Sequence, residues 1–498
     1  MRVLWSLAVI VGLVLAAAMP AAASTSSGQW SFVSAPGLHP PKLQVLTRKA
    51  GLARGDFLVA NNASTNDPRS LGQPGPMILD STGQPVWFLH ARAVVEDLEQ
   101  QTYEGKPVLL WIQGAEVKVV DEHYRTVATL NAHAPWDIDG HDAWITGTDI
   151  WVVVVRTVPN QDLSAYGGPS KASVIDSGAQ EYDLKTGRLL RTWDALNPGS
   201  KPNVPLSASE QTAKPPRRKG PGHPICGGHK CPGGGGEFLW DPYHLNSVQA
   251  LANGDLLLSM RNTSAVYLID PLTDKTIWTL GGKDSTFKPG AGASFAWQHD
   301  ARLVDPGQGG HGRDVELTLF NDNNGQHANK PSEGMVLRLD TTARKATLVN
   351  AYRHQPPLND LVLGSMQLLP NGNALVGWGA EPYFTEYTRS GKELLDVRWP
   401  GTDRSYRTLF TNSWVGTPYY PPRGAARGKT VYASWNGATQ VAKWEVLAGS
   451  SATHLKVVAS HAHTGFETAI KLTKSYAAYE VRALTSTGHA LGSSKAFS

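Results

Sequence analysis

Short runs in which apolar and polar residues alternate recur along most of this chain, and they predict β-strands. One pattern occurs six times: an apolar strand that reaches an acidic or turn residue, a tight turn, and a second strand. A further apolar strand precedes each copy. The copies are MILDSTGQPVWFLH (77–90), VKVVDEHYRTVATL (117–130), QEYDLKTGRLLRTW (180–193), VYLIDPLTDKTIWTL (266–280), LRLDTTARKATLVNAY (337–352) and TEYTRSGKELLDVRW (385–399). The preceding strands are 55–61, 107–114, 149–156, 254–261, 315–322 and 373–379.

A hairpin pattern that returns at uneven intervals of roughly 40 to 90 residues is typical of the blades of a β-propeller. Six copies predict a six-bladed propeller over residues 40–415. The alternative is a β-sandwich whose hairpins are similar by chance, but sandwiches rarely repeat one hairpin pattern six times. The sequence therefore predicts an all-β protein with a propeller as its main domain.

The pattern changes near the C-terminus. Residues 428–498 contain the short alternating segments TVYASWNG, QVAKWEVLAG, HLKVVASHA, ETAIKLT and AAYEVRALTSTGHALG. They predict a small fibronectin-III-like β-sandwich. A module of this kind packs or binds, so we expect it to contact the propeller or a cell surface or wall; nothing catalytic stands out in it.

The first 23 residues predict a secretory signal peptide. They contain Arg2, an apolar run over 3–18 and a small-residue end at Ala21–Ala23. The alternative is a membrane anchor, but the run is short for a membrane-spanning helix. No later stretch is apolar enough to cross a bilayer, so we expect an exported protein with no membrane span.

Residues 196–238 interrupt the repeat with a basic, Gly- and Pro-rich insertion that predicts a surface loop. It contains the two cysteines of the chain, Cys226 and Cys231. In an exported protein, a disulfide that closes this small loop is the favoured interpretation. The alternative is a metal site formed by the thiols with His223 and His229.

Composition narrows the class of function. The net charge is +4, or +3 without Arg2, which is too small to indicate nucleic-acid binding. The 16 tryptophans, 50 glycines and 33 prolines agree with many short strands joined by turns.

Histidines open three of the predicted inner strands: His141 in HDAWIT, His244 in HLNSVQAL and His299 in QHDARLV. In the fourth copy, the turn lies midway between His244 and Arg261, so the hairpin should place these two residues side by side. His141 and Arg156 flank a turn in the same way. Equivalent positions on neighbouring blades face the same mouth of the channel. We therefore expect the three histidines and Arg261 to converge on one pocket, with Arg156 at its rim.

Residues near the histidines divide between the two faces of each strand. Asn246 lies two residues after His244 and shares its face, which makes it a candidate for substrate binding. Asp142 and Asp300 each follow a histidine directly and face the other way, so we do not expect them to orient those histidines.

This set of side chains suits the transfer of an anionic group. A neutral imidazole is a nucleophile near neutral pH, and an arginine with protonated imidazoles can stabilise the negative oxygens of a sulfuryl group. A further histidine can move the proton of a phenol. One alternative is that the histidines only cap strands. Another is a three-histidine zinc or copper site, which the adjacent arginine disfavours.

Several segments resemble the arylsulfotransferase family, in particular its actinobacterial and fungal branch. The resemblance runs from about Val94 to Pro418, and it rests on a series of motifs in matching order. They are TYEGKPVLLWIQG, the His141-Asp142 strand, DPYHLNSV, LLLSMRNTSAVYLID, IWTLGGKDSTF, FAWQHDARL, LTLFNDNNG, LLPNGNALVGWG and SYRTLFTNSWVG.

The resemblance implies a six-bladed propeller that moves a sulfuryl group from an aryl sulfate to a phenol. It implies two small-molecule substrates and no cofactor, metal or nucleotide sulfate donor. By the same resemblance, His299 is the histidine that becomes sulfated, His244 and Arg261 support it, His141 is the first-strand histidine, and Asn246 is the asparagine of the His-x-Asn-Ser motif. His141-Asp142 stands where this branch more often has His-Glu-Phe. The competing hypotheses are a non-catalytic propeller that binds sulfated or carboxylated ligands and a metal-dependent hydrolase or lyase.

Overall fold

The computed structural model describes residues 28–62, 69–213, 239–323 and 330–498. These ranges form a chain of short β-strands with four 3₁₀-helices, at Ser164–Tyr166, Leu206–Ala208, Arg261–Thr263 and Pro306–Gln308. No helix in the described ranges is both long and apolar enough to cross a membrane. The predicted signal peptide and the two cysteines lie outside the described residues, so the signal peptide and the disulfide stay predictions.

In the described ranges, twenty-seven strands precede residue 412. They are β1 (Gln44–Arg48), β2 (Asp56–Asn61), β3 (Gly75–Leu79), β4 (Pro85–Phe88), β5 (Val95–Tyr103), β6 (Lys106–Gln113), β7 (Glu116–Val120), β8 (Thr126–Leu130), β9 (Asp137–Thr146), β10 (Asp149–Gln161), β11 (Ala172–Asp183), β12 (Leu189–Asp194), β13 (Leu239–Trp240), β14 (Leu245–Ala250), β15 (Leu256–Met260), β16 (Ala265–Asp270), β17 (Lys275–Gly281), β18 (Lys288–Pro289), β19 (His299–Leu303), β20 (Val315–Asn321), β21 (Glu333–Asp340), β22 (Lys345–Tyr352), β23 (Ser365–Leu368), β24 (Ala374–Gly377), β25 (Tyr383–Tyr387), β26 (Glu393–Arg398) and β27 (Ser405–Thr411).

These strands pair into six sheets, each with four successive antiparallel strands. The sheet orders are β27-β2-β3-β4, β5-β6-β7-β8, β9-β10-β11-β12 with β13 beside β11, β14-β15-β16-β17, β19-β20-β21-β22-β18 and β23-β24-β25-β26-β1. The second, third and fourth strands of every sheet are the strand and hairpin that the repeated pattern predicts. The prediction of an all-β protein is therefore confirmed.

The first strands of the sheets contact one another in a closed circuit, in the order β27, β5, β9, β14, β19, β23 and back to β27. Two sheets contain a strand that is distant in sequence from their other strands: β1 pairs with β26 in the sixth sheet, and β27 pairs with β2 in the first sheet. The result is a propeller-like arrangement in which six sheets surround one axis.

Apolar clusters lie between each pair of neighbouring sheets in this circuit. Tryptophans occupy five of these six clusters, and three of them are among the largest fully buried side chains: Trp193 lies between the third and fourth sheets, Trp278 between the fourth and fifth, and Trp378 between the fifth and sixth. A wide indole fills the wedge between diverging sheets, which accounts for part of the high tryptophan content.

Glutamines on three first strands, of which Gln249 is buried and the other two are half-buried, bind the backbone of the next first strand, where no sheet pairing exists. Gln101 of β5 accepts from Ile145 N–H and donates to Ala143 C=O of β9. Gln249 of β14 binds both backbone groups of Leu303 of β19, at 2.8 and 3.2 Å. Gln367 of β23 binds Phe410 of β27 in the same way. These amides satisfy backbone groups that would otherwise be buried without partners.

Seven further strands form two sheets after the propeller-like circuit. They are β28 (Arg423–Arg427), β29 (Thr430–Ser434), β30 (Lys443–Gly449), β31 (Leu455–Ala462), β32 (Glu467–Lys471), β33 (Ala478–Leu484) and β34 (Ala490–Ser493), in the orders β28-β29-β32 and β31-β30-β33-β34. The side chain of Asn436 pairs with both backbone groups of Phe88 at the end of β4, at 2.9 and 2.8 Å. The segment before β1 also binds this region, because Glu467 accepts from the backbone N–H groups of Val33 and Ser34.

The described part of the predicted insertion, residues 196–213, differs from a plain surface loop. Val204 and Ala208 are buried and belong to the cluster between the third and fourth sheets. This part of the insertion therefore contributes to the core, while 214–238 lies outside the described residues.

Candidate active site

The structure places the predicted histidines on the first strands of three neighbouring sheets, or directly before such a strand. His141 lies in the middle of β9, His244 directly precedes β14, and His299 is the first residue of β19. The backbone N–H of Arg261 donates to His244 C=O at 3.0 Å. The predicted neighbourhood of His244 and Arg261 is thereby confirmed.

Irregular strand pairing changes the direction of the side chains near the histidines. The register shifts in five of the six first strands, between the following residues: Glu96 and Glu99, Ile138 and Ala143, Leu245 and Ser247, His299 and Arg302, and Ser405 and Thr408. Backbone φ is positive at His244 (58°) and Asp300 (51°), a conformation that costs free energy for a residue other than glycine. Bulges and strained residues of this kind are concentrated at functional sites.

Each histidine binds an aspartate through Nδ1, and the sequence analysis missed all three aspartates. The pairs are His141–Asp139 at 2.5 Å, His244–Asp241 at 2.6 Å and His299–Asp322 at 2.7 Å. The spacings Asp-x-His and Asp-x-x-His were visible in the sequence as a signal for the first two. Asp322 instead follows the neighbouring strand β20, whose Phe320 pairs with His299.

The aspartates determine which ring nitrogen of each histidine is available. A proton on Nδ1, bonded to carboxylate, leaves Nε2 as the nucleophilic or proton-accepting atom. In His299, Nε2 accepts a long hydrogen bond of 3.3 Å from the backbone N–H of Leu363, which agrees with this tautomer.

The three imidazoles lie around Tyr406 of β27. The ring centroids of His141 and His244 are 5.0 Å apart, and the Tyr406 ring lies 5.6 Å from His141 and 6.4 Å from His299. The structure thus brings the three predicted histidines together. Sequence analysis missed Tyr406, although it lies in the SYRTLFTNSWVG motif.

Charge distinguishes the histidines. Burial, and then the positive charges of Arg261, His141 and His244, hold the pKa of His299 well below its usual value. Burial also lowers the pKa of His141, but Asp139 and Glu96 more than offset it, so the pKa of His141 is raised. His299 is therefore the neutral member of a cationic group.

Arg261 is held against an aromatic face beside the histidines. Its guanidinium lies 3.8 Å from the ring centre of Trp297 and donates to Asn262 Oδ1 and to Leu361 C=O. Its Nε is buried and has no hydrogen-bond partner among the described residues. An unpartnered guanidinium N–H is available to an anionic group in this pocket.

Two predicted binding residues have other partners. Asn246 donates through Nδ2 to Gln298 C=O at 2.8 Å, next to His299, so it holds the strand that carries this histidine. Arg156 binds Asp176 and Asp194 and stacks on Trp136. The structure does not join Arg156 to the histidines.

The bulge in β9 explains the position of Arg156. Val152 pairs with Ala143, but Val154 already pairs with Ile138, so the hairpin symmetry around the turn is lost before His141 is reached. The continued register carries Arg156 past His141 to the level of Trp136.

A buried ionic cluster lies beside the histidines and holds the residues that follow two of them. Arg407 Nη1 lies 2.7 Å from Asp97, 3.0 Å from Glu99 and 3.1 Å from Asp142. Arg302 binds Asp142 and Asp300. As predicted, Asp142 and Asp300 therefore serve other partners than the neighbouring histidines.

The ionic cluster is also relevant to the alternative hypothesis of a metal site. In the described part of the chain, the one group of three metal-type ligands within 4.8 Å is Asp97, Glu99 and Asp142. A single guanidinium nitrogen of Arg407 already binds all three carboxylates. The three histidines do not reach that spacing, so their geometry suits contact with a substrate larger than one ion.

Comparison with known proteins finds one matching family model and several similar solved structures. A family model described as Arylsulfotransferase (ASST) matches residues 99–399. No curated protein matches. Similar solved structures include a protein of unknown function from Bacteroides caccae, with 12% identity and a TM-score of 0.39, which covers 72% of this chain and 100% of that chain. Another is a catalytically inactive virginiamycin B lyase from Staphylococcus aureus with quinupristin, with 10% identity and a TM-score of 0.32, covering 80% of this chain and 96% of that one.

Proposed function

Because the chain belongs to the arylsulfotransferase family, we propose that it moves a sulfuryl group from an aryl sulfate to a phenolic acceptor through a covalent intermediate on His299. The family match supports aryl sulfotransferase activity in general. The observation that carries the finer proposal is the neutral imidazole of His299 within a group of positive charges. A neutral nucleophile surrounded by cations suits attack on an anionic ester.

In the first half of the reaction, the Nε2 lone pair of His299 attacks the sulfur of the donor. The bond between sulfur and the aryl oxygen breaks, and its electrons leave with the phenolate. Burial and the nearby Asp360 raise the pKa of Asp322, and the positive charge that develops on the ring of His299, 2.7 Å away, favours the ionised form of this carboxyl group, which stabilises the ring. The long hydrogen bond from Leu363 N–H to Nε2 gives way to the new N–S bond.

Arg261, His141 and His244 stabilise the negative oxygens of the transferred sulfuryl group. Arg261 has an unpartnered buried Nε–H, and the raised pKa of His141, beside Asp139, favours its positively charged form. Donors fixed in a buried pocket stabilise transferring oxygens without reorganising, as in phosphoryl transfer. In the second half, an acceptor phenolate attacks the sulfur and returns the electron pair to His299.

A transfer assay with two small molecules tests this proposal. The wild type is incubated with 4-nitrophenyl sulfate, with and without phenol, beside His299→Ala and the control His454→Ala, which changes an exposed histidine of the C-terminal sheets. We expect phenol-dependent release of 4-nitrophenol by the wild type and the control, and a loss of about 1,000-fold or more in His299→Ala. Mass spectrometry of wild type quenched without phenol should find one sulfuryl group on His299.

Two outcomes would overturn the proposal. One is the absence of nitrophenol release by the wild type in every condition, and the other is full activity of His299→Ala. Binding of the sulfate ester without release would favour the alternative of a non-catalytic propeller. We also propose, from the sequence, that the protein is exported through residues 1–23.

A further inference from the structure

Glu96 faces the histidine pocket and was not among the predicted site residues. It precedes a shift in the pairing of β5, between Glu96 and Glu99. Asp97, within that shift, and Glu99, after it, bind Arg407. The bulge thus separates Glu96 from the ionic cluster to which its two acidic neighbours belong.

The carboxylate of Glu96 lies against the backbone of β9, directly before His141. A methyl group on Gly140 would approach Glu96 Oε2 to 1.9 Å, so the carboxylate lies directly against this glycine and would have to move if the residue carried a side chain. The charges that act on Glu96 are those of His141, Asp139 and Arg404. No hydrogen bond or ion pair joins Glu96 to another described residue, which leaves its oxygens available to a ligand.

The transfer reaction needs a proton acceptor, and His141 is poorly suited to be one. Its Nδ1 lies 2.5 Å from Asp139, and the pKa of His141 is raised, which favours the protonated imidazole over the neutral one. Burial raises the pKa of Glu96 to about 7, with Asp139 adding to the effect and His141 and Arg404 opposing it. A carboxyl group that titrates near neutral pH is matched to proton exchange with a phenol.

We propose that Glu96 takes the proton of the acceptor phenol and returns it to the phenolate that leaves the donor. This inference rests on the proposed function and changes the part of His141, which then serves as a fixed positive charge. In the acceptor step, the O–H bond breaks as Glu96 gains the proton, the new O–S bond forms, and the N–S bond electrons return to His299. In the donor step, the protonated Glu96 gives its proton to the departing oxygen.

The substitution Glu96→Gln tests this role, because glutamine keeps the shape of the side chain but does not accept a proton. Its rate is compared with the wild-type rate for two acceptors, with 4-nitrophenyl sulfate as donor. Phenol must lose a proton with a pKa of about 10, whereas pentafluorophenol is already ionised at neutral pH. We expect a loss of about 100-fold or more with phenol and less than about 3-fold with pentafluorophenol.

A control and a pH profile separate this role from a structural one. Glu104→Gln, in the exposed turn after β5, should match the wild type with both acceptors. When the acceptor step limits turnover, the wild-type rate with phenol should rise with pH through about 7, where Glu96 ionises, and Glu96→Gln should lack this rise.

The outcomes distinguish the two proposals. A stoichiometric burst of 4-nitrophenol followed by equal losses with both acceptors, or by no loss, would overturn the role of Glu96 and leave the sulfotransferase proposal intact. Absence of both burst and turnover in the wild type would overturn both.

Discussion

The three histidines share one kind of partner but differ in charge. The Nδ1 atoms of His141 and His299 lie 2.5 and 2.7 Å from buried aspartates. The pKa of His141 is nevertheless raised, while that of His299 is lowered by burial and by the cations around it. Since a pKa reflects the sum of burial and all nearby charges, one structural motif here gives both a cation and a neutral nucleophile.

The pair of His141 and Asp139 predicts a pH-dependent stability. A histidine whose folded pKa is raised stabilises the protein fully below its unfolded pKa of about 6.5, and this contribution is lost as the pH rises through the folded pKa. Asp139→Asn keeps an oxygen for the ring N–H but removes the negative charge. We therefore expect it to lower the melting temperature clearly at about pH 6 and much less at about pH 9.

Thermal unfolding across this range checks the prediction. Asp340→Asn, in a turn between two outer strands, is the control, and its effect should not follow this pH dependence. A deficit of Asp139→Asn that stays constant or grows with pH would contradict the assignment of His141 as a cation.

At the residue scale, the sequence predicted the nucleophile candidates better than their partners. His244 and Arg261 could be paired because the number of residues to a tight turn fixes which positions face each other. Asp322 could not be linked to His299, since it comes from the next strand and lies beyond the paired position Phe320. Glu96 and Tyr406 lie on other sheets, so their closeness depends on the tertiary fold.

At the element scale, the sequence predicted where the strands lie but not which residues pair across the first strands. The repeated pattern predicted the second, third and fourth strands of every sheet, because their alternation reflects burial between neighbouring sheets. The first strands carry bulges, and the alternation of side chains between the two faces of a strand is interrupted at a bulge. This is why Arg156 was expected beside His141 but lies on Trp136.

Gln249 offers a test of how first strands are joined. Its buried amide binds the backbone N–H and C=O of Leu303 on the next sheet. Gln249→Ala would leave both backbone groups without a partner, and each buried unsatisfied group costs about 1–3 kcal/mol. We expect a loss of about 2–4 kcal/mol in the free energy of unfolding, measured in urea.

The exposed Gln440 supplies the control for this experiment, since Gln440→Ala should leave the unfolding midpoint unchanged. A Gln249→Ala variant as stable as the wild type would show that the glutamine contacts between sheets contribute no stability.

At the scale of the whole molecule, the sequence did not predict which strands close the circuit of sheets. The pattern gave no reason to place β1 beside β26 or β27 beside β2, because these partners lie more than 300 residues apart. The closure has a functional consequence. β27 carries Tyr406 among the histidines and Arg407 in the ionic cluster, so completing the first sheet also completes the site.

Arg407 connects this closure to stability, and its removal gives a prediction about the entire circuit. From β27 its guanidinium reaches Asp97 of β5, Asp142 of β9 and the carbonyl of Asn246 of β14, all fully buried. Removing one partner of a buried ion pair leaves uncompensated charge and costs about 3–5 kcal/mol. We expect Arg407→Ala to lose at least this much free energy of unfolding in urea. Arg407→Lys should lose less, because lysine keeps the positive charge but lacks the planar guanidinium that binds several carboxylates at once.

Since the remaining carboxylates can take up protons, the loss of stability in Arg407→Ala should become smaller as the pH falls toward about 5. Arg389→Ala, in an exposed turn, should match the wild type. If Arg407→Ala unfolded at the wild-type urea concentration, the central ion cluster would have no part in holding the sheets around their common axis.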